Sequence, residues 1–420
     1  MLLILVFIIG YTAIALEHNL KIDKAALALL TGVLCWLIYR IGFTGDIEEL
    51  NVGLIEKLGE ISSILFFLLC AMTIVELIDT HQGFELITSK INTTNPYKLL
   101  VLVSVITFFL SAVLDNLTTA IVMAALIKKL IKEEEMKWLF GGFVVIAANA
   151  GGAFSPIGDV TTIMLWVGGQ ITSVNVISSV LLPSIACLAV PLTMAYFPLK
   201  KYKPIESTEL EIKNNVPANE KRLVLILGIL ALISVPIFKT TTHLPPFMGI
   251  LLSLSSLWIF TEVLHKNKIE PLKKPLKVTS VLQRIDTPSI LFFLGILLAV
   301  GALEKAGYLH DLANMLDEKV GNIYIISTII GLLSSIVDNV PLVAGAMGMY
   351  TLDTFHVDHT FWTLLAYTAG TGGSVLIIGS AAGVAIMGLL KINFMWYVKR
   401  ISLYALVGYF AGIGVYMLLN

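Results

Sequence analysis

Two carboxylates, Asp115 and Asp338, interrupt long apolar runs of this sequence, and each is followed by an asparagine, Asn116 or Asn339. An aspartate surrounded by hydrocarbon costs roughly 3 kcal/mol even on lenient membrane-insertion scales, so its presence indicates a functional site. Carboxylate and amide oxygens are the ligands that hard cations prefer. The two Asp-Asn pairs therefore predict a binding site for a small cation, at which a proton can compete for the same oxygens.

Two further interruptions, at residues 149–162 and 370–380, combine glycine with polar side chains. Non-helical backbone inside a membrane persists only where it lines a cavity or lies buried in protein, so these breaks also indicate a site. They add neutral oxygens and a third carboxylate, and we expect no Lys or Arg at their depth. The candidate cation- and proton-binding residues are Asp115, Asn116, Thr118, Thr119, Asn149, Asp159, Thr161, Thr162, Asp338, Asn339, Ser374 and Ser380, with Na⁺ expected at Asp115, Asp159 and Asp338.

Composition assigns the chain to the membrane proteins. Of its 420 residues, 57% are hydrophobic and 14% are charged, whereas a soluble domain has about 45 to 50% apolar and about 25% charged residues. The net charge of -1, with the charges confined mostly to short connections, gives no basic face for nucleic acid. The three cysteines lie in apolar runs and have no metal-binding or disulfide spacing, so we expect them to pack in the core.

The apolar segments occur in the same order twice along the chain. The hexapeptide at Ser63 to Leu68 recurs at Ser289 to Leu294, and the Asp-Asn and Gly-Gly pairs recur in the same order. Three ordered matches indicate an internal duplication. The predicted organisation is a first repeat, 1–197, with a hairpin at 97–131 and a broken helix at 138–168; a cytoplasmic linker, 198–221; and a second repeat, 222–420, with a hairpin at 322–352 and a broken helix at 360–390.

The number of membrane crossings determines the relative orientation of the repeats. If each hairpin enters and leaves on one side, each repeat crosses five times and the second is inverted. This threading leaves five of the 28 Lys and Arg residues on one side, namely Arg40, Lys57, Lys239, Lys305 and Lys319. Because Lys and Arg concentrate in cytoplasmic loops, the other side, which includes Lys24, is cytoplasmic and both termini are extracytoplasmic.

These inferences define the predicted fold class. It is an all-α polytopic membrane protein with two inverted repeats, each of five spans plus one re-entrant hairpin, and with broken helices that meet at the midplane. Inverted repeats with helix breaks at mid-depth are typical of secondary transporters. We therefore expect a transporter that works by alternating access, and not an enzyme.

The sequence resembles the NhaD-type sodium:proton antiporters of the ion transporter superfamily over nearly its whole length. The resemblance is carried by Glu17-His18 and by residues 71–79, 115–119, 149–152, 158–162, 337–341 and 372–374. It implies exchange of Na⁺ or Li⁺ for H⁺ without a cofactor, in the lipid bilayer of a bacterial inner membrane. It also implies a homodimer and an elevator-like movement of a transport domain that holds both hairpins.

Other interpretations of the same residues stay open at this point. The first is a dicarboxylate or arsenite carrier of the same fold, although related anion carriers have Ser-Asn-Thr at comparable hairpin tips, where this chain has aspartate. An intramembrane aspartyl protease is disfavoured, because Pro156 and Ile157 precede Gly158-Asp159 where such proteases have Gly-x-Gly-Asp. Hairpins of opposite orientation disfavour a channel. The aspartates could also act only as helix caps or structural hydrogen-bonding groups.

Overall fold

The structure of the protein is a computed structural model that describes residues 1–15, 17–88, 93–200 and 216–419. No strand occurs among these residues, which confirms the prediction of an all-helical protein. Eight of the described helices are long and apolar enough to cross a membrane, and a bent pair, Ala381–Leu390 with Phe394–Arg400, makes a ninth candidate. The chain is therefore an integral membrane protein. Most of the predicted linker, residues 201–215, lies outside the described residues.

Helices α1 to α10 cover the first half of the described chain. They are α1 Leu2–Ala15, α2 Glu17–Leu20, α3 Lys24–Gly42, α4 Ile47–Thr80, α5 Glu85–Thr88, α6 Pro96–Leu114, α7 Asn116–Leu130, α8 Glu134–Ala153, α9 Val160–Val167 and α10 Ser173–Leu199. Helix α4, with 34 residues, is longer than the about 20 residues that one crossing requires. It begins after Asp46, whose carboxylate caps it by accepting a hydrogen bond from the Glu48 N–H.

Helices α11 to α22 cover the second half. They are α11 Ala218–Thr242, α12 Pro246–Leu264, α13 Glu270–Lys273, α14 Val278–Val281, α15 Thr287–Lys305, α16 Tyr308–Lys319, α17 Ile323–Leu333, α18 Asn339–Met349, α19 Thr360–Gly372, α20 Ala381–Leu390, α21 Phe394–Arg400 and α22 Ser402–Leu419. Single turns of 3₁₀-helix occur at Lys274–Leu276 and Leu282–Arg284. The expected breaks are present, since α8 and α9, and likewise α19 and α20, are separated by short non-helical segments.

Helices α8 and α19 form the centre of the molecule. Every residue from Phe140 to Ala153 in α8 and from Phe361 to Gly372 in α19 is buried. Helices that are apolar or small on all faces belong in a protein core. The two helices pack against each other, α8 also packs on α6, and α19 also packs on α17. Both end at the polar interruptions, so those interruptions lie inside the protein.

Equivalent hydrogen bonds connect these helices in the two halves of the chain. The Ser111 hydroxyl in α6 donates to the Ala148 carbonyl oxygen in α8 at 2.6 Å. In the second half, the Ser334 hydroxyl at the end of α17 donates to the Ala369 carbonyl oxygen in α19 at 2.8 Å. A serine hydroxyl that donates to a carbonyl oxygen of a neighbouring helix has its hydrogen bond without needing a water molecule. The helix that precedes each hairpin joint is thus tied to the buried central helix in the same way.

Glycine permits the close approach of these helices. A Cβ atom on Gly151 would overlap the Phe108 carbonyl oxygen, and a Cβ atom on Gly372 would overlap the Gly331 carbonyl oxygen. These are backbone atoms of a packed neighbour, so they cannot rotate away as a side chain would. The conformation therefore requires residues without a side chain at both positions.

We predict that Gly372→Ala lowers the thermal unfolding temperature of the purified protein by several degrees. Forcing an extra methyl group into a packed core costs about 1 to 3 kcal/mol. Gly414→Ala is the matched control, because a Cβ on this exposed glycine of α22 meets no atom within 4 Å. Detergent-solubilised variants are compared by a thermal-shift measurement. Equal unfolding temperatures for the two variants would contradict the required close approach.

Candidate ion-binding site

Asp115 joins α6 to α7 in a strained backbone conformation. Its φ of 88° and ψ of 157° lie in a region that is essentially restricted to glycine. The side chain caps α7, since one carboxylate oxygen accepts from the Thr118 N–H and the other from the Thr118 hydroxyl, both at 2.8 Å. The carboxylate thus satisfies the N-terminus of α7 and keeps lone pairs available for another ligand.

Asp338 holds the corresponding position before α18, with an ordinary φ of −48°. Its Oδ1 accepts from the Val340 N–H at 3.2 Å, and its Oδ2 lies 3.8 Å from the Lys24 Nζ atom. The same ammonium group lies 4.6 Å above the ring of Phe292. The expectation that no Lys or Arg reaches the depth of the site is therefore wrong. Lys24 is at the first position of α3, and its long side chain extends to the carboxylate.

Asp159 connects the two halves of the site. It is 1% exposed and caps α9, accepting from the Thr161 N–H at 2.9 Å and the Thr161 hydroxyl at 2.8 Å. The Asn116 side-chain amide donates to Oδ2 at 2.7 Å, and the Asn339 amide donates to Oδ1 at 3.4 Å. One carboxylate therefore contacts the asparagine that follows each hairpin aspartate.

Asn149 extends this network into the second half of the chain. Its Oδ1 accepts from the Asn116 side-chain amide at 3.1 Å. Its own side-chain amide donates to the hydroxyls of Ser374 and Ser380, each at 3.0 Å. Ser380 in turn caps α20 by accepting from the Gly383 N–H at 3.1 Å. Ser380 thus has the position in α20 that Asp159 has in α9, but without a charge.

One small cavity lies between these helix ends. It is lined by apolar residues of α4, α11, α12 and α15, by Lys24, and by six of the candidate residues, namely Asp115, Asn116, Thr118, Asp159, Asp338 and Asn339. About 60 Å³ is accessible to the centre of a water-sized sphere. Since one water needs about 10 to 15 Å³ by this measure, the cavity has room for several waters or one partly hydrated ion.

The remaining six candidates do not line this cavity. Asn149, Thr161, Ser374 and Ser380 lie behind it and orient the lining residues through the hydrogen bonds given above. The hydroxyls of Thr119 and Thr162 are buried and have no hydrogen-bond partner within the described part of the chain. Both are one residue past a threonine that bonds to a site aspartate, so their side chains leave α7 and α9 in a different direction.

Two wider cavities lie on either side of the small one. The first, here called the vestibule, shares Lys24, Leu117 and Thr118 with the ion cavity and is also lined by Glu17, Glu76, Asp79, Arg284 and Asp286. The second, here called the far cavity, is lined by Lys57, Glu60, Glu304 and Gln170 among others and shares no lining residue with the ion cavity. Lys57 bridges Glu304 at 2.7 Å and Glu60 at 3.0 Å.

Sequence reasoning missed Lys24 and the acidic wall of the vestibule. Lys24 lies between two apolar runs, on the side that the distribution of Lys and Arg predicts to be cytoplasmic. The sequence signal that could have found Lys24 is its position directly after Asp23. The Asp23 carboxylate accepts a hydrogen bond from the Ala25 N–H and caps α3, so Lys24 is the first residue of that helix. A lysine at a capped helix start can extend its side chain several ångströms beyond the helix, toward either water or protein.

Comparison with known proteins places the chain in a family. The sequence profile of the citrate transporter family, CitMHS, matches residues 4–368. Sodium/proton antiporter 1 of Arabidopsis thaliana is 49% identical over 98% of this chain and 71% of the relative, and Sodium/proton antiporter 2 is 46% identical over 98% of each. The Na(+)/H(+) antiporter NhaD of Vibrio cholerae is 33% identical over 99% of this chain and 91% of the relative. By these matches, which extend over nearly the whole chain, the protein belongs to the CitMHS family and, within it, to the NhaD-type sodium/proton antiporters.

Proposed function

We propose that this protein exchanges Na⁺ or Li⁺ for H⁺ across the membrane by alternating access. The observation that carries the proposal is that Asp115, Asp159 and Asp338 line one small cavity with two asparagines. The relatives named sodium/proton antiporters support the same exchange. Na⁺ and H⁺ are the transported substrates here, and the proposal needs no resident cofactor.

The charge of the cavity favours one monovalent cation. Three carboxylates bring three negative charges, and each caps a helix N-terminus that carries roughly half a positive charge. Lys24 adds one positive charge beside Asp338. Together these charges give the empty cavity a slightly negative net charge. Binding of one Na⁺ or one proton is therefore favourable, whereas binding of both would make the net charge clearly positive. Mutual exclusion of this kind couples the two ions.

An anion carrier of the same fold is the second candidate, and the family profile named for citrate transport favours it. The cavity supports it less well. A di- or tricarboxylate would bring further negative charges toward three aspartates, and Lys24 alone would have to compensate for them. The volume of about 60 Å³ also suits a small ion better than an organic acid.

We further propose the inverted-repeat topology with re-entrant hairpins α6–α7 and α17–α18. At 1.5 Å per residue, the 11-residue helices α17 and α18 extend about 16 Å, half of a hydrocarbon core of about 30 Å. Helix α6, with 19 residues, is long enough to cross, so the length argument applies to the second hairpin and the similarity of the two halves extends it to the first. The matching serine bonds and glycine contacts support the duplication. Domain boundaries at 197 and 222 and extracytoplasmic termini in a bacterial inner membrane complete this part of the proposal.

Movement between two states would expose the cavity to each side in turn. The ion cavity shares lining residues with the vestibule, whose side the Lys and Arg distribution predicts to be cytoplasmic, and shares none with the far cavity. This arrangement supports an inward-facing state. In an elevator-like step within a homodimer, α7, α9 and α18 would carry the cavity toward the far side, past α3, α4 and α15.

Lys24 gives this cycle an internal counterion. It belongs to α3, whereas its partner Asp338 belongs to the hairpin that would move. When Na⁺ occupies the cavity, the ammonium group loses its electrostatic benefit at Asp338 and can remain over the Phe292 ring, where cation–π attraction holds it. Na⁺ binding would then release the contact between the fixed and moving parts.

We predict that Asp159→Asn abolishes exchange. In everted vesicles that have accumulated protons, added Na⁺ should cause no dequenching of a pH-sensitive dye beyond that of vesicles without the protein. The amide can still accept from the Thr161 N–H, so the fold is retained, but the charge that balances Na⁺ is lost. Asp353→Asn is the control, because this carboxylate is exposed and lines none of the three cavities described above.

Normal exchange by membrane-inserted Asp159→Asn would refute the site. Proteoliposomes that contain the purified protein test whether it is an anion carrier. Uptake of labelled citrate without any Na⁺-driven pH change would establish the anion carrier instead.

A further prediction concerns Lys24→Met. The half-saturating Na⁺ concentration, measured at one fixed pH, should fall about two- to five-fold, because a partly exposed ion pair contributes roughly 0.2 to 1 kcal/mol. Lys98→Met, which removes an exposed lysine that lines none of the three cavities, should leave this value unchanged. A higher half-saturating concentration in Lys24→Met would show that the lysine assists Na⁺ binding and does not compete with it.

A further inference from the structure

Three buried side chains of metal-ligating type meet outside the ion cavity. His81 follows the last residue of α4, His265 follows the last residue of α12, and Glu220 lies in the first turn of α11. One ligand atom from each lies within 4.8 Å of the other two. We propose that this cluster binds a divalent transition-metal ion of the Zn²⁺ class. The proposal is independent of what the ion cavity transports.

The three side chains are enclosed and oriented. His81, His265 and Glu220 are 0%, 1% and 8% exposed. The Nδ1 atom of His81 lies 2.7 Å from the Leu77 carbonyl oxygen, which can only accept, so Nδ1 carries the proton and Nε2 presents a lone pair to the cluster. A backbone carbonyl that fixes the tautomer in this way is a common outer partner of metal-bound histidine.

The inner distances suit a metal ion better than a complete hydrogen-bond network. The two Nε2 atoms lie 3.3 Å apart, and the His265 Nε2 lies 2.7 Å from the Glu220 Oε1. A proton on the His265 Nε2 has its closer acceptor in Glu220, so the lone pair of His81 lacks a donor of its own. Two histidine nitrogens at about 2.0 to 2.1 Å from a tetrahedral Zn²⁺ are about 3.3 Å apart, which matches the observed separation.

Lys268 occupies the open side of the cluster. Its Nζ atom donates to both carboxylate oxygens of Glu220, at 2.5 and 2.7 Å, and its side chain is 23% exposed. A metal ion entering from this side would replace the ammonium group as the counter-charge of Glu220. Two histidines and a glutamate, with a fourth position open to water, form a ligand set that is well known for Zn²⁺.

The cluster joins three helices that also wall the ion cavity. Helix α4 contributes Phe67 and Met72 to the cavity, α11 contributes Leu232, and α12 contributes Ile250. A metal ion would cross-link one end of these helices and resist their separation. Bound metal would therefore stabilise the part of the protein against which the hairpins pack.

The test is titration of the purified full-length protein with Zn²⁺ in competition with a fluorescent chelator. We expect one Zn²⁺ per chain and an increase in the thermal unfolding temperature. His265→Gln should weaken binding at least about 10-fold and remove the temperature increase. His310→Gln, which replaces an exposed histidine of α16, should behave as wild type.

A second variant works in the opposite direction. Lys268→Met keeps all three ligands and removes the competing ammonium group, so it should bind Zn²⁺ more tightly than wild type by several-fold. Mg²⁺, which prefers oxygen ligands, should not compete. Absence of stoichiometric Zn²⁺ binding to wild type, or equal affinity in wild type and His265→Gln, would overturn the proposal and leave a hydrogen-bond network only.

Discussion

A carboxylate buried in an apolar environment must be surrounded by donors or lose its charge, and the site around Asp159 is organised by this constraint. Its donors come from α9 itself and from the first residues of α7 and α18. Thr161 and Asn116 from the first half of the chain provide the shorter hydrogen bonds, and Asn339 from the second half adds a longer one. The carboxylate thus contacts both halves of the chain at the candidate ion site.

The two halves of the chain have similar contacts but different charges at their helix breaks. The equivalent contacts of Ser111 and Ser334, and of Gly151 and Gly372, hold similar helix pairs together. The corresponding caps differ, with Asp159 before α9 and Ser380 before α20. The two breaks therefore add one negative charge, not two, to those of Asp115 and Asp338.

The sequence predicted the helix breaks, because Asp, Asn, Gly and Pro in apolar runs leave few alternatives to a buried polar joint, whereas ion binding at these residues stays a prediction. Asp115, Asn116, Asp159, Asp338 and Asn339 meet as expected around one cavity. Lys24 could not be found in this way, since its contact with Asp338 depends on how α3 and α18 pack against α15. The distant residues His81, Glu220 and His265 meet only through the packing of α4, α11 and α12, and no local pattern signals that packing. Thr119 and Thr162 were included by proximity in sequence, but side-chain direction on a helix changes by about 100° per residue.

The backbone of Asp115 gives the two helix joints different intrinsic energies. A residue other than glycine in this conformation costs about 1 to 3 kcal/mol, whereas Asp338 at the second joint has an ordinary backbone and stores no such energy. The same energy corresponds to a population ratio of about 5 to 150 between two states. The packing and hydrogen bonds around residue 115 must therefore compensate for a conformational cost that the second joint does not have.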